Sequence, residues 1–305
     1  MNDAQKSVLT KITGLSAMPE GAYNLRVNGQ SIGRADSPNV AISSKADGSG
    51  LTVRVKPGVK GEKLHIPVIV SQTNFTDVVE NDFYIGQGAE VTIIAGCGIH
   101  NEGHGQARHD GLHTFHIGRE ARVLYEEKHY GQGEGTGEKV LNPVTDVFME
   151  PGSYMEMESV QIEGVDSTRR VTRAVVADGA TLIVKEKIMT HDSQTAETEF
   201  EVDLKGEDAS ANIISRSVAK DKSSQIFLSK ISGNNRCMGH SECDAIIMDQ
   251  ARVKAIPEIA ANHGEASLIH EAAIGKIAGE QLIKLMTLGL SQQQAENQIV
   301  NGFLK

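Results

Sequence analysis

Between Asn234 and Gly275 the chain gathers donor atoms of three chemical kinds. Cys237 and Cys243 are two of its three cysteines, and His240, His263 and His270 are three of its eleven histidines. Glu242 and Glu271 stand beside them. Thiolate, imidazole and carboxylate are the ligand types that iron and zinc accept. On an extended strand, Cys237 and Cys243 share a face but lie about 20 Å apart, at about 3.3 Å per residue. They could hold one ion only if Met238-Gly239-His240-Ser241 turned the chain. Otherwise each thiol belongs to a different place, and a lone buried cysteine is a small apolar filler. The spacing is not C-x-x-C, so a closed zinc knuckle is not indicated. His270 and Glu271 are adjacent, so on a strand they face opposite ways. One of them then faces outward, at an interface, and the other is structural.

A second group lies upstream in CGIHNEGHGQARHDGLHTFH, with Cys97 ahead of His100, His104, His109, His113 and His116. His109 and His113 share strand parity and His116 does not. A histidine-rich tract reads either as a metal site, with Cys97, His100, His109 and His113 as donors, or as a polar glycine-rich loop. The glycine-rich stretch Tyr130–Lys139 does not fit a phosphate cradle. Glu138 follows Gly137 where a phosphate-binding loop needs lysine, and no G-x-G-x-x-G frame fits. It reads as a mobile connection. No G-x-S-x-G elbow occurs. Nucleotide chemistry would therefore belong to a partner.

The composition narrows the classes. A net charge of −10 argues against nucleic acid. No run of apolar residues is long enough to cross a bilayer, and the start, MNDAQKSVLTKITGL, lacks a signal core. Three cysteines make no disulfide framework. Reduced thiols in the cytoplasm are the expectation. With no tryptophan and 4% aromatic residues, sugar platforms and base stacking are poorly served.

The positioning elements follow from periodicity. Residues 3–14 predict a short helix with Val8, Leu9 and Ile12 on one stripe, capped by Asn2 or Asp3. Residues 20–63 read as loops with weak strands such as Leu51–Val55. From Leu64 onward, LHIPVIV, EVTIIAG, ARVLYEE, YMEMESVQIEG, TLIVKEKI, ANIISRSVA and SQIFLSKISG are β-rich runs between turn residues. Several open alike, at Gly88, Gly118, Gly152, Gly179 and Gly206, with spacings of 30, 34, 27 and 27 residues. Such a repeat with two strands per unit is too small for a propeller blade. It fits a β-solenoid whose corner glycines supply φ > 0, with an antiparallel sandwich as the alternative. At the end, Gly279–Gly289 predicts a helix stopped by Gly289. Ser291-Gln-Gln-Gln294 predicts a capping box for a second, with Ala295, Ile299 and Val300 inward. Three regions result: an N-terminal helix and irregular region over 1–63, an all-β solenoid core over 64–272, and a small α-helical domain over 273–305.

At this point the residues resemble a known family. Arg236-Cys-Met-Gly-His-Ser-Glu-Cys-Asp244, His263-Gly, His270-Glu-Ala and the ending Gly-Glu-Gln-Leu…Gly-Leu-Ser…Ala…Ile-Val-Asn-Gly-Phe-Leu resemble the SufB/SufD proteins of iron–sulfur cluster assembly. Cys97-Gly-Ile-His and His109-Asp-Gly-Leu-His look like its short members, and the likeness covers roughly 65–305. It implies a right-handed parallel β-helix with a small C-terminal helical domain. It also implies a homodimer or SufB/SufD-type heterodimer, a sulfur donor, and a SufC-type ABC ATPase docked on the helices. A transient iron–sulfur cluster would assemble at the subunit interface.

His270 matches the family's interface histidine. Glu271 matches the acidic residue found beside it in SufB-like members, where SufD-like ones have glycine. The interface cysteine of longer SufB proteins falls at Ala251, so Cys237 and Cys243 are the replacement thiolates. The expected ligand set is therefore Cys237, Cys243, His270 and Glu271, with His240 and Glu242 nearby, in a non-enzymatic scaffold. The rivals are a SufD-like structural partner without a cluster and a β-helix enzyme acting on acidic polysaccharide.

Overall fold

Every second residue of Thr181–Thr190 is buried: Leu182, Val184, Glu186, Ile188 and Thr190. Period-two burial is the mark of a strand with one face turned inward, and it recurs along most of the chain. The computed structural model describes residues 1–15 and 19–305. Helix α1 (Asp3–Thr13) precedes β1 (Ala22–Val27), β2 (Gln30–Ala35), β3 (Val40–Ser44), β4 (Leu51–Val55), β5 (Glu62–Val70), β6 (Phe75–Ile85) and β7 (Glu90–His100). Then come β8 (Ala107–Ile117), β9 (Arg122–Gln132), β10 (Lys139–Leu141), β11 (Val144–Met149), β12 (Tyr154–Glu163), β13 (Ser167–Val176) and β14 (Thr181–Thr190). The chain ends with β15 (Thr195–Leu204), β16 (Ala209–Ala219), β17 (Ser224–Gly233), β18 (Cys237–Ile247), β19 (Arg252–Ala261), β20 (Ala266–Gly275), α2 (Gly279–Thr287) and α3 (Gln292–Phe303).

The strands wind into a parallel β-solenoid of about eight turns, which settles the choice against a sandwich. Each coil gives one strand to each of two sheets, one running β5-β7-β9-β12-β14-β16-β18-β20 and the other ending β13-β15-β17-β19. The main apolar core lies between them, with Phe83, Phe115, Tyr125, Met155, Leu182 and Phe200 fully buried, and a smaller apolar cluster around Val68, Ile99 and Leu141 lies apart from it.

The corner glycines divide into two kinds. Gly88, Gly152 and Gly179 have φ of +65°, +69° and +61°, which side chains rarely adopt. Gly118 and Gly206 do not have positive φ; in their coils the bend is made by Glu120 at +57° and Asp208 at +56°. Gly118 and Gly206 are small because the neighbouring coil touches them. A Cβ would lie 2.7 Å from Ile85 O at the first and 2.0 Å from Asp178 N at the second. The true repeat position is thus Gly88, Glu120, Gly152, Gly179 and Asp208. Each donates its N–H to the next coil's corner, as Gly88 does to Arg119 O and Asp208 to Arg236 O.

Residues 20–63 are more regular than their composition suggests. β1 pairs in parallel with β5, and β4 with β6, so winding already begins there. Two antiparallel hairpins, β1–β2 and β3–β4, terminate that end. Helix α1 has Asn2 as its cap with a full capping box and buries Val8, Leu9 and Ile12, as expected. It rests on Gly96 and Gly98, where a Cβ would fall 2.7 Å from Ile12 Cβ and 2.1 Å from Val8 Cγ1.

The opposite end is uncovered. Inward-facing Ile231 and Ala245 are 1% and 3% exposed, but their partners on the last coil, Ile259 and Ile274, are 40% and 39% exposed. Helix α3 starts at the Ser291 capping box, buries Ala295 and Val300 and packs near Val218. Ile299 is only half-buried. Helix α2 buries nothing, and its Ile283 and the capping Leu288 are exposed.

Candidate functional site

Strand β18 runs without a break from Cys237 to Ile247, so no turn brings its two cysteines together. Both are buried and face inward. Cys237 stands between Ala209 and Ala266 in the neighbouring strands, a column of small residues. Cys243 continues a different inward column, Glu186, Ser215, Cys243 and Ala272. Burial, with the negative charges of Glu186 and Asp244, pushes the Cys243 thiol up to about 12.

The outer face of the same strands does what the inner face does not. His240, Glu242 and Glu271 offer ligand atoms within 4.8 Å of one another. His240 Nε2 lies 3.4 Å from Glu271 Oε2. On its other side, Asn212 Oδ1 accepts a hydrogen bond of 3.0 Å from His240 Nδ1–H. That bond leaves the Nε2 lone pair aimed at the carboxylates, the usual way an outer contact orients a metal-binding imidazole. Glu242 sits directly beside Glu271 in the parallel register. Like charges so placed repel, and burial followed by the charge of Asp244 raises the Glu242 pKa. One imidazole and two carboxylates suit a borderline or hard divalent ion such as ferrous iron.

Among the other expected residues, His270 faces inward beside Ser241. Its buried Nδ1 has no hydrogen-bond partner, and burial, then the neighbouring His240, lowers its pKa. The expectation that His270 and Glu271 point opposite ways holds in the burial pattern. His263 lies in the preceding turn, where its Nδ1 accepts from Glu265 N–H at 3.2 Å. Ala251 is in the turn before β19, and the residue across from Glu271 is Glu242. The four expected ligands therefore split, three inward and one outward.

The upstream histidines are dispersed. His109 Nδ1 is 3.2 Å from Asp77, which Arg26 also clasps. Burial alone would raise the Asp77 pKa, but His109 and Arg26 outweigh it and hold it at about 2. His113 is buried and pushed down to about 4 by desolvation. His116 faces outward, stacked between Tyr84 at 4.7 Å and Phe148 at 5.4 Å. His100 lies 3.3 Å from Glu102, and His104 contacts Thr136 Oγ1 at 2.8 Å. Among the described residues, none of these histidines joins another in one donor group. The Tyr130–Lys139 stretch is a bonded layer on the preceding turn, in which Gly135 N–H donates to Asn101 O and Gly137 N–H to Gly103 O. Its glycines let two backbones meet.

Glu127, His129, Arg170 and Glu186 escaped the sequence reading, yet all four are buried inside the coil. Strand parity carries the signal: Glu127 and His129 share the inward register of Val123 and Tyr125.

A family model described as "SUF system FeS cluster assembly, SufBD core domain" matches residues 69–303, covering most of the solenoid and the two terminal helices. The chain belongs to the SufBD family. An iron–sulfur cluster assembly SufBD family protein of Archaeoglobus fulgidus is 30% identical over 268 residues, covering 87% of this chain and 70% of its own. One from Methanothermobacter thermautotrophicus is 26% identical over 260 residues, covering 84% and 62%. One from Methanocaldococcus jannaschii is 26% identical over 253 residues, covering 82% and 79%. SufBD membership implies work in iron–sulfur cluster assembly within a complex of the SUF system. Among the described residues, no helix is long and apolar enough to cross a membrane.

Proposed function

We propose that this SufBD chain is a SufB-like, non-enzymatic scaffold subunit on which an iron–sulfur cluster is built as cargo. The observation that carries this reading is the convergence of His240, Glu242 and Glu271 on the last two coils, beside an end whose core is uncovered. An apolar core left open at Ile259 and Ile274 wants a covering surface. A second β-solenoid end, from another copy or a paralogue, supplies one of the same cross-section. Iron would enter at the outer triad. Cys243 and His270, on the inward side of the same strands, would supply sulfur and nitrogen donors as the seam forms.

The exposed side chains of Ile283 on α2 and Leu288 at its C-cap suit an apolar groove on a SufC-type ABC ATPase. ATP-driven movement would then reach the seam through α2, α3 and the coil under them. Three free cysteines fit a reducing cytoplasm.

The test is anaerobic purification with the ATPase, followed by reconstitution with ferrous iron and sulfide. A brown complex with matching iron and sulfide, lost in Glu271→Ala and reduced in Cys243→Ser, is the expected result. A complex that binds the ATPase but stays colourless and iron-free would overturn the scaffold reading in favour of a SufD-like structural partner.

A further inference from the structure

Deep in the coil, four turns from the outer triad, a second group of donors meets. Cys97 on β7 pairs directly with His129 on β9 in the parallel register, and Glu127 lies two residues before His129 on the same inward face. One ligand atom from each lies within 4.8 Å of the others, and all three residues are buried.

Two observations point to something between them. First, His129 Nε2 is buried with no hydrogen-bond partner. Glu127 Oε1 lies 3.4 Å from it. The other ring nitrogen, Nδ1, is 3.2 Å from Gln161 Oε1, which accepts from Nδ1–H. In that tautomer, once the Cys97 thiol gives up its proton, the Nε2 lone pair, the Glu127 carboxylate and the Cys97 sulfur face one another as three acceptors. A divalent cation can take the place of the Cys97 proton and satisfy all three donor atoms at once, including the otherwise unpartnered His129 Nε2. Second, the surrounding charges leave room for one. Arg170 is a single cation held between two buried carboxylates, Glu127 and Glu186. It binds Glu127 through Oε2, leaving Oε1 on the side of His129, where Tyr125 Oη–H is its other contact at 3.1 Å. One excess negative charge and a thiolate together balance a divalent ion. Arg170 Nη2 also lies 3.2 Å from His129 Nδ1. It stabilises the opposite tautomer when no ion is present.

We propose that Cys97, Glu127 and His129 form an internal site for one divalent ion of the zinc or ferrous class, separate from the outer triad. A sulfur, a nitrogen and an oxygen donor match the preferences of zinc and ferrous iron, and three protein ligands leave a fourth position for water. The residues are all in the solenoid, so the site does not depend on the scaffold reading.

Cobalt(II) is the probe, supplied to the full chain during refolding so that burial does not bar entry. The wild type should retain one cobalt per chain through desalting and show the near-ultraviolet thiolate-to-cobalt charge-transfer band. The His240→Asn/Glu271→Gln variant should keep both. Cys97→Ser, which conserves size, should lose the band and at least tenfold in cobalt affinity. His129→Asn keeps the thiol and should also bind at least tenfold more weakly. Should Cys97→Ser fail to fold, the His129→Asn result decides. No cobalt retained by the wild type, a band unchanged in Cys97→Ser, or cobalt retention unchanged in His129→Asn overturns the site.

Discussion

His240 Nε2 and Glu271 Oε2 face each other at 3.4 Å across the last two coils, though a whole turn of the solenoid separates them along the chain. Asn212, one coil further back, holds the imidazole from behind. Asn212→Ala is expected to weaken ferrous or manganous binding at this triad by about 10–100-fold, the usual effect of losing an orienting contact. Glu271→Gln should weaken it at least as much. Titration with manganese(II), read by electron paramagnetic resonance, measures both. Equal affinity in wild type and Asn212→Ala would show that the imidazole is not held for a metal.

Cys243 predicts an alkaline limit. Its thiol ordinarily titrates at 9.0, and burial raises it to about 12. The folded protein thus holds this proton more tightly than the unfolded chain does. This contribution is fully present below about 9 and is lost as the pH rises towards about 12. Urea midpoints of the wild type should fall over that window more steeply than those of Cys243→Ser. At pH 8, iodoacetamide should leave Cys243 unmodified in the native chain.

On the proposed function, the uncovered end is where a second subunit would meet this one. Ile259 and Ile274 are inward-facing yet substantially exposed. Ile274→Asp should weaken self-association or pairing with a paralogue by at least about 2 kcal/mol, as at a central interface position. It should change the stability of the isolated chain by no more than about 0.5 kcal/mol, as at a surface position. Sedimentation velocity reads the first and denaturant unfolding the second.

On the proposed function, a SufC-type ATPase would dock on and just beyond helix α2. Leu288 is 79% exposed and Ile283 62%. The double change Ile283→Glu/Leu288→Glu should abolish co-purification of a SufC-type ATPase and leave the melting temperature within about 2 °C of wild type, as for a surface change. Undiminished co-purification would move the docking site elsewhere.

Two glycines should respond differently to the same change. Gly179 has φ of +61° and open space around it, so Gly179→Ala should cost about 1–2 kcal/mol for the left-handed backbone. At Gly206 a Cβ would meet Asp178 N at 2.0 Å. Gly206→Ala should therefore cost more, at least about 2 kcal/mol, because backbone must move. Chemical denaturation of the two variants gives the comparison.

Local rules made much of the chain readable in advance. The Val8, Leu9 and Ile12 stripe, the Ser291 capping box and the period-two strands depend on neighbours within a few residues, and the structure bears them out. So does the opposite facing of His270 and Glu271, which any strand enforces. Even the buried Glu127 and His129 left a trace, as polar residues in an apolar register.

What the residues alone left open is which strand lies beside which. Cys237 and Cys243 are close along the chain but held apart by a straight strand, whereas Cys97 and His129, or His240 and Glu271, become neighbours only when coils stack. Stacking register is set by the corners, and those at Gly88, Glu120, Gly152, Gly179 and Asp208 have the same length whether glycine, glutamate or aspartate makes the bend, so residue type does not reveal it. A side chain's partners one coil away are thus a property of the wound solenoid, fixed by backbone hydrogen bonds between residues that share no local pattern.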